Sequence, residues 1–191
     1  MLTLRPLPDA QTRLLYSHQM RRDFPESELK PLESILRMKH AGEYDVLGAH
    51  DGGTMIAYAL VYRPQQGRVM LLDYLAVEPG CRGRGVGMAL LSALRAHYAS
   101  AADVLLIECE RPKSAPDERE ARRRIRFYER CGARLTSTRV WLFEVEYSIM
   151  ALPCTEAAGA EGRDWAREIL SLYRQMLEPE AYVSNVRLIR A

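Results

Sequence analysis

The feature that most constrains the fold is a buried strand that runs directly into a glycine-rich loop and an amphipathic helix. Residues 68–77 are almost entirely apolar, residues 78–84 are rich in glycine and arginine, and from Gly85 apolar residues recur at helical spacing. A second apolar run follows at residues 104–109. Strands joined by a crossover helix normally pair in parallel, so this segment predicts a right-handed β-α-β unit.

Other strands and helices surround this unit. Residues 44–50 and 54–62 have the composition of two strands joined by an Asp-Gly-Gly turn. Together with the strand at residues 68–77, they predict three antiparallel strands in a row. Helices are expected over residues 9–22, capped by Asp9, over about 27–42, and over 117–131, and two closing strands are expected within 133–152. The pattern predicts a mixed α/β fold with a mostly antiparallel sheet, one parallel strand-helix-strand unit and helices on both faces.

Chain length and the C-terminal pattern predict one domain with an appendage. The chain has 191 residues, and residues 153–162 have the small, polar composition of a linker. An amphipathic helix follows, with Trp165, Ile169, Tyr173 and Met176 in one stripe. We therefore expect a domain over residues 1–152 and an appendage over 153–191. The stripe is too apolar to stay exposed, so it should pack on the domain or, in a homodimer, on a partner subunit.

Several classes of function are disfavoured by composition. The formal net charge is only +2, so no global electrostatic argument indicates nucleic acid as a partner. No apolar run approaches the roughly 20 residues of a membrane helix and the first residues lack a signal-peptide layout, so a cytoplasmic protein without membrane association is expected. The four cysteines and four histidines have no metal-ligand spacing, which predicts no metal site and reduced thiols.

The glycine-rich loop predicts an anion site, because backbone N–H groups and the positive end of a helix converge there. A phosphate loop of the Walker type would need Gly-Lys-Ser/Thr at the helix start, where the chain has Gly85-Val86-Gly87. A dinucleotide-binding loop starting at Gly83 would need glycine where Met88 stands. What remains is the pattern Arg82-x-x-Gly85-x-Gly87 directly after a strand.

This pattern resembles the pyrophosphate-binding signature of the GNAT superfamily of N-acetyltransferases. A second segment, residues 126–133, is similar to the aromatic-Tyr-Glu-x-x-Gly-Phe segment of that family, in the correct order along the chain. The resemblance implies a GNAT-like fold that uses acetyl-CoA. It implies that backbone groups of Leu75, Ala76 and Val77 contact the pantetheine arm and acetyl group. It also implies that the pyrophosphate is held by the backbone of Arg82, Gly83, Arg84, Gly85, Val86 and Gly87.

The same resemblance implies that Tyr128 protonates the departing thiolate, since it matches the family's catalytic tyrosine. Tyr128 also fits a packed core aromatic of its helix. The helix departs from the family pattern, because Ala121 stands where many members have asparagine, Arg124 where a small residue is usual, and Ala133 where phenylalanine often follows the glycine. These departures leave the contacts of this helix with coenzyme A open.

An amine acceptor must be neutral to attack a thioester, so a general base is expected. Glu108 and Glu110 lie on one face of a strand end by their period-two spacing, and the resemblance implies a base at Glu108. A solvated strand end explains both glutamates equally well. Asp73 is a third candidate, because a carboxylate inside an apolar strand is unusual.

A dense basic run lies on the helix over residues 117–131. It is typical of a solvated helix face, and its alternatives are the 3′-phosphate of coenzyme A or an acidic acceptor. The basic residues are Arg119, Arg122, Arg123, Arg124, Arg126 and Arg130.

The function expected from the sequence is direct transfer of an acetyl group from acetyl-CoA to a primary amine of a small molecule or peptide. The alternative is an acyl-CoA-binding or sensing domain without turnover. A pure binder needs neither Tyr128 nor carboxylates near it, and their presence favours the enzyme.

Overall fold

A mixed sheet forms the centre of the fold in the computed structural model, which describes residues 2–155 and 162–189. Its eight strands have the order β1-β2-β3-β4-β5-β7-β6-β8. The strands are β1 Thr3–Pro6, β2 Tyr44–Asp51, β3 Thr54–Tyr62, β4 Val69–Val77, β5 Val104–Glu110, β6 Arg134–Leu142, β7 Val145–Pro153 and β8 Val186–Leu188. The helices are α1 Asp9–Leu15, α2 Arg21–Asp23, α3 Leu32–His40, α4 Val86–Tyr98, α5 Glu118–Arg130, α6 Trp165–Met176 and α7 Pro179–Asn185.

The pairing of the strands confirms the predicted fold class. β4 and β5 form a parallel ladder that joins Val69 to Val104 and Leu72 to Ile107 at its two ends. The ladders β1–β2, β2–β3, β5–β7, β6–β7 and β6–β8 are antiparallel. Within the described residues, no helix is both long enough and apolar enough to span a membrane.

The chain divides into two compact units, the first formed by Met1–Gln65 with Asp73–Leu94. Its core lies on β2 and β3, where residues 57–62 are all buried. The first helix is interrupted, since a π-helical segment at Tyr16–Met20 separates α1 from the short α2.

Two helix predictions in this first unit are wrong in detail. Pro8 occupies the cap position of α1, and Asp9 instead accepts hydrogen bonds from Lys39, at 2.5 Å, and His40, at 2.6 Å. Those two contacts lower the pKa of the Asp9 carboxyl. In place of the helix expected over 27–42, the structure has a 3-10 turn at Glu26–Glu28 followed by α3. Pro31, immediately before α3, lacks the N–H that a continuous helix would need.

The second unit comprises Gln66–Leu72 with Arg95–Ala191. α6 buries Ile169, Leu172, Tyr173 and Met176 within the chain and leaves Trp165 partly exposed, so three of the four stripe residues pack intramolecularly. Sequence analysis missed α7 and β8, a three-residue strand that pairs with the outer edge of β6. This strand covers part of an otherwise open sheet edge.

Candidate functional site

The glycine-rich loop lies in the first unit, between the end of β4 and the start of α4. A 3-10 turn at Pro79–Cys81 follows the strand. Gly83 and Gly85 then adopt positive φ angles of 75° and 78°. This left-handed conformation is strained for residues that carry a Cβ, so the two glycines are required by the backbone of the turn.

Five consecutive backbone N–H groups in this loop are available to a ligand. In the described part of the chain, the N–H groups of residues 83–87 donate to no protein acceptor. Residues with left-handed φ in such a turn form concave backbone sites for anions, and the N-terminus of α4 adds its positive dipole. Residues 82–85 are exposed, so the site is open to solvent. The loop therefore fits a diphosphate.

The Arg82 side chain is held by two hydrogen bonds to the protein, although 56% of it is exposed. Its Nε donates to the carbonyl oxygen of Val77 at 2.9 Å, and its Nη2 donates to Asp23 at 3.0 Å. Asp23 also accepts hydrogen bonds from Arg22 and from the Tyr58 hydroxyl, at 2.9 and 3.0 Å. The side chain of Asp23 is only 3% exposed, so it anchors the loop to α2 from a buried position.

Asp23 is a site residue that sequence reasoning missed. It lies 59 residues before Arg82, in a helix with no recognisable motif. Burial and the neighbouring Asp23 carboxylate raise the pKa of the Tyr58 hydroxyl, which therefore stays protonated and able to donate.

Leu75, Ala76 and Val77 form the end of β4, as expected. Ala76 is buried, while Leu75 and Val77 are partly exposed. The Val77 carbonyl already accepts the hydrogen bond from Arg82, so its remaining lone pair is what a ligand could use.

Tyr128 lies on α5 in the second unit and is only 7% exposed. Its hydroxyl makes no hydrogen bond to the described residues. The buried tyrosines 44, 58, 74 and 173 donate to an oxygen atom, whereas Tyr62, which is also buried, shares with Tyr128 the lack of a hydrogen bond to the described residues. The Tyr128 hydroxyl is therefore able to donate to a ligand, and its lack of a partner fits both a catalytic role and simple core packing. Burial, with a smaller contribution from Cys109, raises the pKa of Tyr128 and keeps it protonated.

Glu108 and Glu110 are both partly exposed, on either side of buried Cys109 in β5, as their spacing predicts. Glu108 is the first β5 residue beyond the parallel ladder with β4. Its carboxylate accepts a hydrogen bond from the hydroxyl of Tyr173, which is fully buried in α6. The C-terminal helix thus contributes directly to the surroundings of a candidate base, which sequence analysis did not foresee.

Asp73 lies in the first unit in a paired environment. It accepts hydrogen bonds from Lys30 Nζ, at 2.8 Å, and from the hydroxyl of Tyr44. Lys30 also lies 5.4 Å from the centre of the Tyr74 ring. The Asp73 side chain is 4% exposed. The ion pair with Lys30 explains why a carboxylate is buried at this position without a catalytic role. The argument for a base at Asp73 is therefore weaker.

The candidate residues fall into separate groups. In the first unit, the end of β4 and the glycine-rich loop carry the candidate cofactor contacts. Asp73 lies earlier on the same strand. In the second unit, Tyr128, Glu108 and Glu110 lie on neighbouring elements α5 and β5. Cys109 and Cys154 are buried and the four cysteines are unpaired, in agreement with the expectation of reduced thiols.

Comparisons with known proteins match this fold. Residues 42–132 match the family model described as an acetyltransferase (GNAT) domain. A search of curated protein sequences gives no significant match.

Solved structures with the same fold include three acetyltransferases. A protein from Bacteroides thetaiotaomicron described as belonging to the GNAT family is 20% identical, with a TM-score of 0.69, 92% of this chain and 99% of that chain covered. The spermidine N-acetyltransferase of Vibrio cholerae, in complex with CoA and spermine, is 15% identical, with a TM-score of 0.64, 83% and 98% covered. The ribosomal-protein-S18-alanine N-acetyltransferase of Escherichia coli is 21% identical, with a TM-score of 0.60, 85% and 99% covered.

Proposed function

We propose that this chain, whose residues 42–132 match the acetyltransferase (GNAT) domain model, transfers the acetyl group of acetyl-CoA to a primary amine of a small molecule or peptide. The observation that carries the proposal is the row of five backbone N–H groups between residues 83 and 87 that have no acceptor among the described residues. Such a row is suited to a diphosphate, and acetyl-CoA would supply the activated thioester when bound.

The chain's own groups match the steps that such a transfer needs. The N–H groups of residues 83–87 would hold the pyrophosphate, and the backbone of residues 75–77 would contact the pantetheine arm. Glu108, directly or through a water molecule, would take a proton from the amine, because the protonated amine has no lone pair for attack. Tyr128 would give its proton to the thiolate as the carbon–sulfur bond breaks. Burial raises the pKa of Tyr128, so its hydroxyl is protonated at neutral pH, as a proton donor must be.

The proposal is tested by following thiol release from acetyl-CoA with a panel of acceptors. The panel contains spermidine and a peptide with an N-terminal alanine, which correspond to the acceptors named for two structural neighbours. Free amino acids are added as simpler amines. We expect turnover with at least one amine and a product heavier by one acetyl group. Saturable binding of coenzyme A without turnover on any amine would instead support a binding domain. Absence of coenzyme A binding would contradict the proposal itself.

A further prediction concerns Tyr173, whose hydroxyl donates to Glu108. In Tyr173→Phe the carboxylate loses a donor that favours its charged form, so the acidic limb of the pH–rate profile should move to higher pH. The affinity for coenzyme A should not change. Tyr62→Phe serves as the control, because Tyr62 is also fully buried but lies on β3. A pH profile equal to that of the wild type would show that Tyr173 has only a packing role.

A further inference from the structure

A basic cleft of about 580 Å³ lies in the second unit beside α5. One face of the helix contributes Arg122, Ile125, Arg126 and Glu129, which recur at the i, i+3, i+4 and i+7 spacing of neighbours on a helix surface. Tyr128 belongs to the adjacent, buried face of the same helix. The cleft is completed by residues of the β5–α5 loop, β6 and β7, namely Arg111, Pro112, Lys113, Leu135, Arg139 and Ser148.

Positive charge exceeds negative charge around this cleft. Glu146 accepts a hydrogen bond from Arg111 at 2.8 Å and lies 3.5 Å from Arg139, and Glu118 accepts one from Arg122 at 2.8 Å. The cleft is lined by five cationic side chains: two in the β5–α5 loop, two on α5 and one on β6. Three carboxylates lie near them, those of Glu146, Glu118 and Glu129. The excess is two positive charges.

Two of the cations are available to a ligand. Among the described residues, neither Lys113 nor Arg126 makes a hydrogen bond or an ion pair. Both side chains lie on exposed residues at the cleft, so no internal carboxylate has to be displaced from them. Guanidinium and ammonium groups in such a position form strong, charge-assisted hydrogen bonds with carboxylates and phosphates.

Ser148 adds an observation that is independent of charge. It lines the cleft from β7, is only 8% exposed, and its hydroxyl has no hydrogen-bond partner in the described residues. This hydroxyl can donate to an anion placed in the cleft. Pro112, Ile125 and Leu135 provide apolar lining for a carbon skeleton.

We propose that the basic cleft binds a small organic dianion, of the dicarboxylate or phosphate-ester class, at a site separate from the coenzyme A loop. The charge of such a ligand would balance the excess of two, and its size suits a cleft within the range of small-molecule sites. A nucleic acid would require a long basic surface, whereas the net charge of the chain is only +2. The short, concave cleft with apolar lining favours a small ligand.

Calorimetry with succinate and with glycerol 3-phosphate tests the proposal and separates the two ligand classes. We expect at least one of them to bind saturably, and the uncharged analogues dimethyl succinate and glycerol not to bind. Arg126→Gln and Lys113→Gln should each weaken binding by about tenfold, because each removes one charge-assisted hydrogen bond. Ser148→Ala should weaken it by a smaller factor, and unchanged melting temperatures would show that the variants fold.

Arg119→Gln is the matched control, since it removes one charge from an exposed position of α5 that does not line the cleft. Equal loss in Arg119→Gln and Arg126→Gln would mean diffuse electrostatic attraction and would overturn the site. Absence of saturable binding of both anions would overturn it as well. A matching loss of coenzyme A affinity in Arg126→Gln would place the cleft within the cofactor site and so refute a separate one.

Discussion

Replacing Gly85 with leucine is expected to raise the Kd for coenzyme A by about 100-fold or more. Gly85 has a φ of 78°, so a residue with a Cβ either strains the turn by about 1–2 kcal/mol or forces it into another conformation. The change of conformation, which relieves the strain, moves the N–H groups of residues 83–87, which make no hydrogen bond within the described residues. Loss of two charge-assisted hydrogen bonds to a diphosphate is sufficient for an effect of this size.

Isothermal titration calorimetry with coenzyme A measures this effect, and Gly67→Leu is its control. Gly67 has a φ of 99°, and a Cβ added there, as at Gly85, would meet no atom within 4 Å, but Gly67 lies in the turn between β3 and β4. Both substitutions should lower stability to a similar extent. If Gly85→Leu bound coenzyme A as tightly as Gly67→Leu does, the loop would not be the pyrophosphate site.

Replacing Tyr128 with phenylalanine is expected to slow the chemical step by about 10²- to 10⁴-fold, the range typical of general acid–base catalysis. Only the hydroxyl is removed, and this hydroxyl makes no hydrogen bond to the described residues, so the fold should not be disturbed. Coenzyme A should bind with the affinity of the wild type. Single-turnover measurements with the accepted amine would isolate the chemical step from product release.

Three carboxamide variants complete this experiment. Glu108→Gln should slow turnover comparably and weaken the rise of rate with pH, while Glu110→Gln and Asp73→Asn should have smaller effects. Asp73→Asn also leaves the partly buried Lys30 beside a neutral group, so its stability has to be measured in parallel. A larger catalytic loss at Glu110 or Asp73 would assign the base there. An unchanged rate in Tyr128→Phe, with chemistry limiting, would rule out Tyr128 as the acid.

The β-α-β unit and its loop were predictable because their causes are local. Glycine at residues 83 and 85 permits the left-handed turn, the apolar run before it forms β4, and helical periodicity begins α4 at residue 86. The buried face of α4 was not fixed by this periodicity. Leu90, Leu91, Leu94 and Tyr98 are buried, whereas Ala89 and His97 are exposed, because packing against the sheet selects the face and periodicity alone leaves it ambiguous by one residue.

Other features depend on contacts between distant residues. Asp23 reaches Arg82 across 59 positions, and Tyr173 reaches Glu108 across 65. Neither pair carries a motif, and Glu108 would look the same in the sequence if α6 packed elsewhere. The basic cleft likewise needs α5, β6 and β7 side by side before its charges and its buried hydroxyl share one space.

The sequence by itself therefore determined the resemblance to the GNAT superfamily, the strand-loop-helix unit and the candidate identities of Tyr128 and Glu108. These depend on residue types at short spacing, which act through backbone conformation and periodicity. The tertiary structure decided which groups are already paired and which remain available. Asp73 is bound to Lys30 and Tyr44, while the N–H groups of residues 83–87 and the Tyr128 hydroxyl have no partner in the described chain. Whether two groups form a hydrogen bond or ion pair depends on their distance in the folded chain. Their separation along the sequence does not give that distance.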